Sequence, residues 1–254
     1  MKNEEKFTGK AGIYDKYRPT YPDELIDYLY SHIGFDEKSI IADIGSGTGK
    51  LSKPLLERGS FVYCVEPNDD MRLTAEKALS GFDKYISINA SAENTLLQDK
   101  SIDFVIAAQA FHWFDKLRFR QECRRLLKEK GKVVIIWNTR DVEHDITKRE
   151  NGFRINYSPD TSNAGLRDGG NFVRDWSGFF TDGICMYKTC RNDLALTRES
   201  YIGVNTSRSW SPDEKKDPEK YHGFINELNK LFDEYSVDGI LKSPYFTQCY
   251  AGSV

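Results

Sequence analysis

The sequence predicts an α/β protein built on a mostly parallel, doubly wound sheet of about seven strands. Three observations predict it. Short apolar runs alternate with stretches of helical periodicity, the pattern of strands joined through helices that cover both faces of a parallel sheet. The first of these runs ends in a glycine-spaced turn, Gly45-Ser46-Gly47-Thr48-Gly49. The length, 254 residues, suits one α/β domain that carries an insertion or small cap.

The elements follow in order. Leu25, Ile26, Leu29 and Ile33 fall on one helical face, and residues 39–44 then read as a buried strand ending at the glycines. A helix over about 50–58, closed by Gly59, leads into an apolar strand at 61–65 with Glu66 and Pro67 at its end. A helix over about 70–79 and strands at 85–88 and 102–107 come next. Phe119, Cys123, Leu126 and Leu127 share a helix face before Gly131, and residues 133–137 form strand five. Five βα units result. Residues 138–183 are rich in Asn, Asp, Arg and Gly, with Trp176, Phe179 and Phe180 clustered late, and read as an insertion or substrate cap. An amphipathic helix through Phe224, Leu228, Leu231, Phe232 and Tyr235 and a last strand at 245–251 complete the sheet. The expected division is a core over 1–137 with an N-terminal lid at about 7–22, the insertion over 138–183, and the completing segment 184–254.

Composition narrows the partners. A formal net charge of -3, from 36 basic and 39 acidic residues, leaves no excess cation for nucleic-acid phosphates or anionic lipid. The first ten residues are charged, and no run approaches the roughly 20 apolar residues that cross a bilayer. The expectation is a cytoplasmic monomer or weak homodimer with a small-molecule substrate, and no nucleic-acid or membrane partner. Five cysteines, widely spaced and without a Cys-x-x-Cys pair, read as reduced thiols. No metal site is expected, since beyond Asp141, Glu143 and Asp145 no carboxylate cluster follows strand five.

In open α/β sheets ligands sit beyond the carboxyl ends of the strands. After strand one, Gly45, Gly47 and Gly49 permit a tight turn with exposed N–H groups and no Cβ atoms in the way. After strand two, Glu66 can accept hydrogen bonds from both hydroxyls of a ribose. After strand three, Ser91-Ala92-Glu93 presents polar and backbone groups to an adenine edge. After strand four come Gln109 and the run Phe111-His112-Trp113-Phe114. A dinucleotide fingerprint wants Gly-x-Gly-x-x-Gly, whereas here the third glycine stands one position early and Lys50 takes the sixth place.

This set, Asp43-x-Gly45-x-Gly47-x-Gly49 followed by Glu66, Ala92-Glu93 and Gln109-Ala110-Phe111-His112-Trp113, resembles the class I S-adenosylmethionine-dependent methyltransferases over roughly residues 10–140. Within the type 11 methyltransferases, Tyr14 to Pro22 and the His112-Trp113 pair resemble the small-molecule branch that includes trans-aconitate-type enzymes. The resemblance implies a Rossmann-like fold, S-adenosylmethionine as cofactor and S-adenosylhomocysteine as product. It implies that the glycine loop, with Asp43 and Ser46, surrounds the methionine part, that Glu66, followed by Pro67, holds the ribose, that Ser91, Ala92 and Glu93 face adenine, and that Gln109 lies near the sulfonium. Tyr14, Tyr17 and Arg18 would sit by the methionine carboxylate or the substrate. Ser91 departs from the pattern, standing where an acidic residue is common.

For the substrate, Tyr17, Phe111, His112, Trp113, Trp137 and Arg140 are the candidate pocket residues, and His112 is the candidate catalytic base. Each has a plainer reading. A histidine between two aromatics is often packed, Trp113 and Phe114 serve equally as core or wall, and Arg18, Arg140 and Arg149 fit carboxylates or simply face solvent. His32, His144 and His222 read as structural or exposed. A DNA amino-methyltransferase would carry an Asn/Asp-Pro-Pro-Tyr-like motif after strand four, which this chain lacks. A non-catalytic S-adenosylmethionine-binding protein and an NAD(P)-dependent oxidoreductase are the alternatives.

Overall fold

The computed structural model describes Gly12 and residues 16–157, 176–208 and 210–254. The alternating apolar runs become strands β1 (Ile40–Ile44), β2 (Phe61–Val65), β3 (Tyr85–Ile88), β4 (Ile102–Ala108) and β5 (Leu127–Arg140). Four more follow: β6 (Met186–Arg191), β7 (Leu194–Leu196), β8 (Leu241–Ser243) and β9 (Tyr245–Gly252). One seven-stranded sheet runs β3-β2-β1-β4-β5-β9-β6, and β7 pairs with β8 in a separate ribbon. Strands β1 to β5 are mutually parallel, whereas β9 is antiparallel to both β5 and β6.

Period-two alternation sorts the strand residues onto two faces. Ala42, Ile44, Val65, Val105, Ala107, Val133 and Ile135 enter one apolar cluster, and Ile41, Val62, Cys64, Phe104, Ile106, Val134 and Ile136 the other. Both faces are buried, so the strands read as continuous apolar runs. The second face is covered by α1 (Asp23–Tyr28), which continues as a π-turn over Leu29–Ile33, by α2 (Ser52–Glu57) and by Leu79 of α3 (Asp69–Leu79). The first is covered by α4 (Lys116–Leu126) together with Trp176, Phe179 and Phe180. Side chains start several helices: Asn68 accepts from the Met71 N–H for α3, and Asp115 from Leu117 and Arg118 for α4.

A further core sits beside the sheet. Ile146 of α5 (Asp145–Tyr157), Tyr201 and Val204 of α6 (Arg198–Thr206), Phe224, Leu228 and Phe232 of α7 (Pro218–Tyr235), and Leu196 and Leu241 of the ribbon pack together. The segment expected to complete the sheet thus also builds most of a cap. No described helix is long and apolar enough to cross a membrane.

Residues 89–101 between β3 and β4 carry turns and a Ser91–Asn94 bridge. Leu96 and Lys100 adopt positive φ there, and the Thr95 N–H and hydroxyl donate to Glu122 Oε1 at 2.8 and 2.6 Å, in place of helical hydrogen bonds. Leu127 opens β5 rather than closing α4, since its backbone turns extended (φ -71, ψ 135) and it pairs with Ile102. Strand β5 runs on to Arg140, past the boundary expected after residue 137. Residues 158–175 of the expected insertion lie outside the described residues.

Candidate functional site

The sheet's topology brings the ends of β1, β2 and β4 to one edge, and the glycine turn is fastened there. The N–H groups of Gly45 and Ser46 donate to Val65 O at 2.8 and 3.3 Å, which locks the turn to the end of β2. Gly45, Gly47 and Gly49 all take positive φ, 68°, 57° and 80°, a region that favours glycine. Packing forbids a side chain at two of them: a Cβ on Gly45 would lie 2.6 Å from Ala110 Cβ, and one on Gly49 2.7 Å from Leu79 Cδ1. At Gly47 a Cβ meets nothing within 4 Å. That residue turns an open face outward.

Two carboxylates stand behind the turn. Glu66, nearly buried, accepts from the Gly47 N–H through Oε2 and from the Asn68 N–H through Oε1, both at 2.9 Å. Asp43, at the end of β1, is 1% exposed; its Oδ2 accepts from Ser52 Oγ at 2.6 Å and its Oδ1 is buried with no hydrogen-bond partner. Burial pushes the Asp43 carboxyl up to about 7, against the Ser52 hydrogen bond and with the charge of Glu66 adding to the rise.

The other strand ends fill out the edge. Pro67 is half-buried next to Glu66, and Ser91 and Glu93 flank the buried Ala92. Glu93 Oε1 accepts from the Asp115 N–H at 2.9 Å, tying the loop after β3 to the start of α4. Gln109, just past β4, holds a left-handed backbone, φ 57°, strained for a side-chain-bearing residue. Its N–H donates to Ile136 O at 2.9 Å and its Nε2 to Asn138 O at 3.0 Å, and these bonds fix it over the end of β5.

A cleft of about 720 Å³, part of it open to solvent, runs from Asp43 and the loop Gly45–Thr48 past Gln109 and Asn138. Its far wall is cationic, formed by Arg18, Arg140 and Arg208 with Tyr245. Arg140 is held by an ion pair to Glu150 and by Asn151 Oδ1 at 2.8 Å. Glu150 also accepts from Tyr201 Oη at 2.6 Å. Arg208 Nη2 donates to Tyr245 Oη at 2.8 Å, and Arg18 Nη2 to Ser207 O at 3.2 Å. Tyr17 packs on α6, where a Cβ at Gly203 would meet its ring at 2.5 Å, and its hydroxyl donates to Glu199 at 2.7 Å. Asn138 and Asn192 donate to Thr20 O at 3.1 and 3.0 Å and clasp the N-terminal segment to the sheet edge. Tyr14 lies outside the described residues.

Residues 42–135, from β1 into β5, match the model of a family described as a methyltransferase domain. This stretch is similar to methyltransferase domains. An uncharacterised methyltransferase of Mycobacterium tuberculosis is 38% identical over 135 residues, 53% of this chain and 53% of the relative. The chain spans about half the length of the curated relatives it matches. Among solved structures, one described as a type II methyltransferase from Anaeromyxobacter dehalogenans superposes with a TM-score of 0.66 at 20% identity, covering 93% of this chain and 98% of that one. A phosphoethanolamine N-methyltransferase of Haemonchus contortus, solved with phosphomonomethylethanolamine and S-adenosylhomocysteine, gives 0.58 at 13% identity over 99% and 59%. At these identities the structural likeness concerns the fold, which is the Rossmann-like one.

Of the expected site residues, the fold brings Asp43, Gly45, Ser46, Gly47 and Gln109 to one cleft, with Gly49 and Glu66 directly behind the loop. Two of the expected pocket residues lie in the core. Phe111 and Trp137 are 1% and 3% exposed and stack in an aromatic core with Trp176 and Phe179, at centroid distances of 4.7 to 6.1 Å. The short 3₁₀ turn Phe111–Trp113 drives the Phe111 ring under the sheet, away from the cleft. His112 and Trp113 are half-buried, with ring centroids 4.6 Å apart, and neither is part of the cleft wall. Arg208 and Tyr245, outside residues 42–135, escaped the sequence reading. The antiparallel β9 held the signal for Tyr245: its first residue must lie where its parallel neighbours end, and Tyr245 pairs with Arg140.

Proposed function

We propose that this chain is an S-adenosylmethionine-dependent methyltransferase acting on an oxygen of a small-molecule acceptor, a carboxylate or a hydroxyl. The observation that carries the reading is the loop at Gly47, which has an open outer face while its N–H is held by the Glu66 carboxylate. The buried, unpartnered Oδ1 of Asp43 beside it fits a ligand that brings donors. The names of the relatives and the cofactor product held by the nematode enzyme support the same reading.

Asp43, Ser46 and the glycines would hold the methionine end, with Arg18 for its carboxylate. Glu66 and Pro67 would hold the ribose, Ser91, Ala92 and Glu93 the adenine edge, and Gln109 the region of the sulfonium. S-adenosylmethionine supplies, when bound, an electrophilic methyl group. The chain's own contribution is alignment and exclusion of water. Alignment corresponds to roughly 7 to 11 kcal/mol of barrier, against about 3 to 5 for help from an acid or base. A carboxylate acceptor, already ionised, needs no base. A hydroxyl acceptor would call on His112, which would have to approach from behind the cleft wall.

Calorimetric titration with S-adenosylmethionine and S-adenosylhomocysteine, on the wild type and Glu66→Ala, tests the reading, with oxidised and reduced nicotinamide dinucleotides as controls. The expected result is binding of both sulfur compounds, weakened about tenfold or more, about 1.4 kcal/mol, in the variant. Binding of a dinucleotide in their place would assign the loop to an oxidoreductase.

A further inference from the structure

We propose that the outer edge of β6 is a homodimer surface, on which a second copy of this chain adds its own β6 antiparallel about a two-fold axis at Thr189. The pairing does not depend on what the cleft binds.

Strand β6 ends the seven-stranded sheet, and among the described residues it has a neighbouring strand on one side alone. Its backbone is set for another. The Asn192 N–H donates to Tyr245 O at 2.9 Å, and in an antiparallel ladder every second residue faces the same neighbour. Met186, Lys188 and Cys190 therefore turn their N–H and C=O groups to β9, while Tyr187, Thr189 and Arg191 turn theirs outward.

Sheet edges are ordinarily guarded by prolines, bulges or free charges. Here those guards are absent or engaged. Met186–Arg191 holds no proline, and its register with β9 is unbroken. Both of its cations pair within the molecule: Lys188 Nζ meets Glu24 Oε1 at 2.6 Å, and Arg191 meets Asp141 and Asp193 at 3.1 and 2.5 Å. The edge shows apolar surface instead, with Ile184, Met186 and Tyr187 exposed by 72%, 38% and 52%.

The order of residues along the strand selects a second copy as the occupant. A two-fold axis at Thr189 sets Tyr187 across from the partner's Arg191, joins them through their outward backbone groups, and places Thr189 against its own counterpart. The Tyr187 and Arg191 side chains share one face of the sheet, where they lie against Tyr250 and Phe246 of β9 at 4.9 and 4.7 Å. Each guanidinium then stands beside a phenol ring of the other copy, an attractive pairing. The neighbouring register, with its axis at Lys188, would oppose two like charges and is disfavoured. An edge of six residues makes a small interface, so a weak dimer follows, with a dissociation constant on the order of micromolar.

The test is sedimentation equilibrium over about 1 to 200 μM protein, a span that brackets weak association, with hydrogen exchange read at single amides by NMR. It is repeated on Thr189→Pro, which removes an outward N–H and no bond to β9, and on Tyr187→Lys, which puts an unpaired charge on the edge. The wild type should pass from 29.2 kDa to twice that mass as concentration rises. Over the same range the amides of Tyr187, Thr189 and Arg191 should gain protection, while those of Lys188 and Cys190 are protected throughout. Both variants should weaken the dimer about tenfold or more, with the near-ultraviolet circular dichroism of the folded chain unchanged. A wild type that stays at the single-chain mass overturns the proposal. A dimer of wild-type strength in both variants overturns it as well, because the contact then lies elsewhere. Growth into species beyond a dimer overturns the two-fold axis, since head-to-tail pairing of β6 with the opposite edge would not close. If Thr189→Pro does not fold, Tyr187→Lys and the alternation of amide protection decide between the same outcomes.

Discussion

Replacing Asp43 by asparagine should turn a pH-dependent cost into a constant one. In the ligand-free protein burial raises this carboxyl from its ordinary 3.8 to about 7, and at about 1.4 kcal/mol per pH unit that displacement is worth roughly 4 kcal/mol. The sign follows from which state holds the proton. Below about pH 4 both folded and unfolded chains are protonated at this position, and the carboxyl costs nothing. As pH rises toward 7 the unfolded chain releases the proton first, so stability falls; above about pH 7 both states are ionised and the loss levels off. The asparagine amide cannot ionise and keeps a carbonyl for the Ser52 hydroxyl. Urea unfolding of the two ligand-free proteins between about pH 5 and pH 8 should therefore show the variant gaining on the wild type by roughly 2 to 3 kcal/mol across that interval. Curves that run parallel over the interval would refute the assignment of a buried, proton-holding carboxyl at the end of β1.

Gly47→Ala should fold at a cost of about 1 kcal/mol for its positive φ, since its Cβ meets nothing, yet weaken S-adenosylhomocysteine about tenfold or more by calorimetry. Gly49→Ala should be the reverse case, with an added clash against Leu79 that lowers the urea midpoint first. Phe111→Ala should cost roughly 3 to 5 kcal/mol of stability, while the folded fraction keeps its cofactor affinity, as a core residue would. Glu150→Gln leaves the Arg140 guanidinium buried without its carboxylate and should cost about 3 to 5 kcal/mol in urea unfolding; retention of wild-type stability would show that Arg140 is neutralised by another group.

The first five strands were legible because they are apolar on both faces and punctuated by glycines. The loop was legible because a turn that needs positive φ at three places has one common answer in residue type. What escaped was set by contacts distant in sequence. In β6 Cys190 is the single buried residue, so this edge strand shows no apolar run, and α6 buries Tyr201 in a core shared with α5 and α7 while its hydroxyl meets Glu150. Phe111 follows the end of β4 and Trp137 lies near the end of β5, as pocket residues do, and nothing in their spacing tells which side of the sheet a ring will choose. Arg208 and Tyr245, joined across 37 positions, obey no motif. The loop after β3 is likewise shaped by a distant contact, since Glu122 accepts from the Thr95 N–H from another element.

The placement of β9 between β5 and β6 bears on how the protein is made. The ribosome delivers β5, α5 and β6 before the rest of the cap, and only afterwards the strand that joins β5 to β6. Until residues 245–252 emerge, the apolar edge Val133–Ile136 has no neighbour on that side, and an unpaired edge of this kind invites pairing with other chains. The cap is therefore finished before the sheet that supports it, and the nascent protein passes through a stage at which its glycine loop is complete and the cleft wall, waiting for Tyr245, is not.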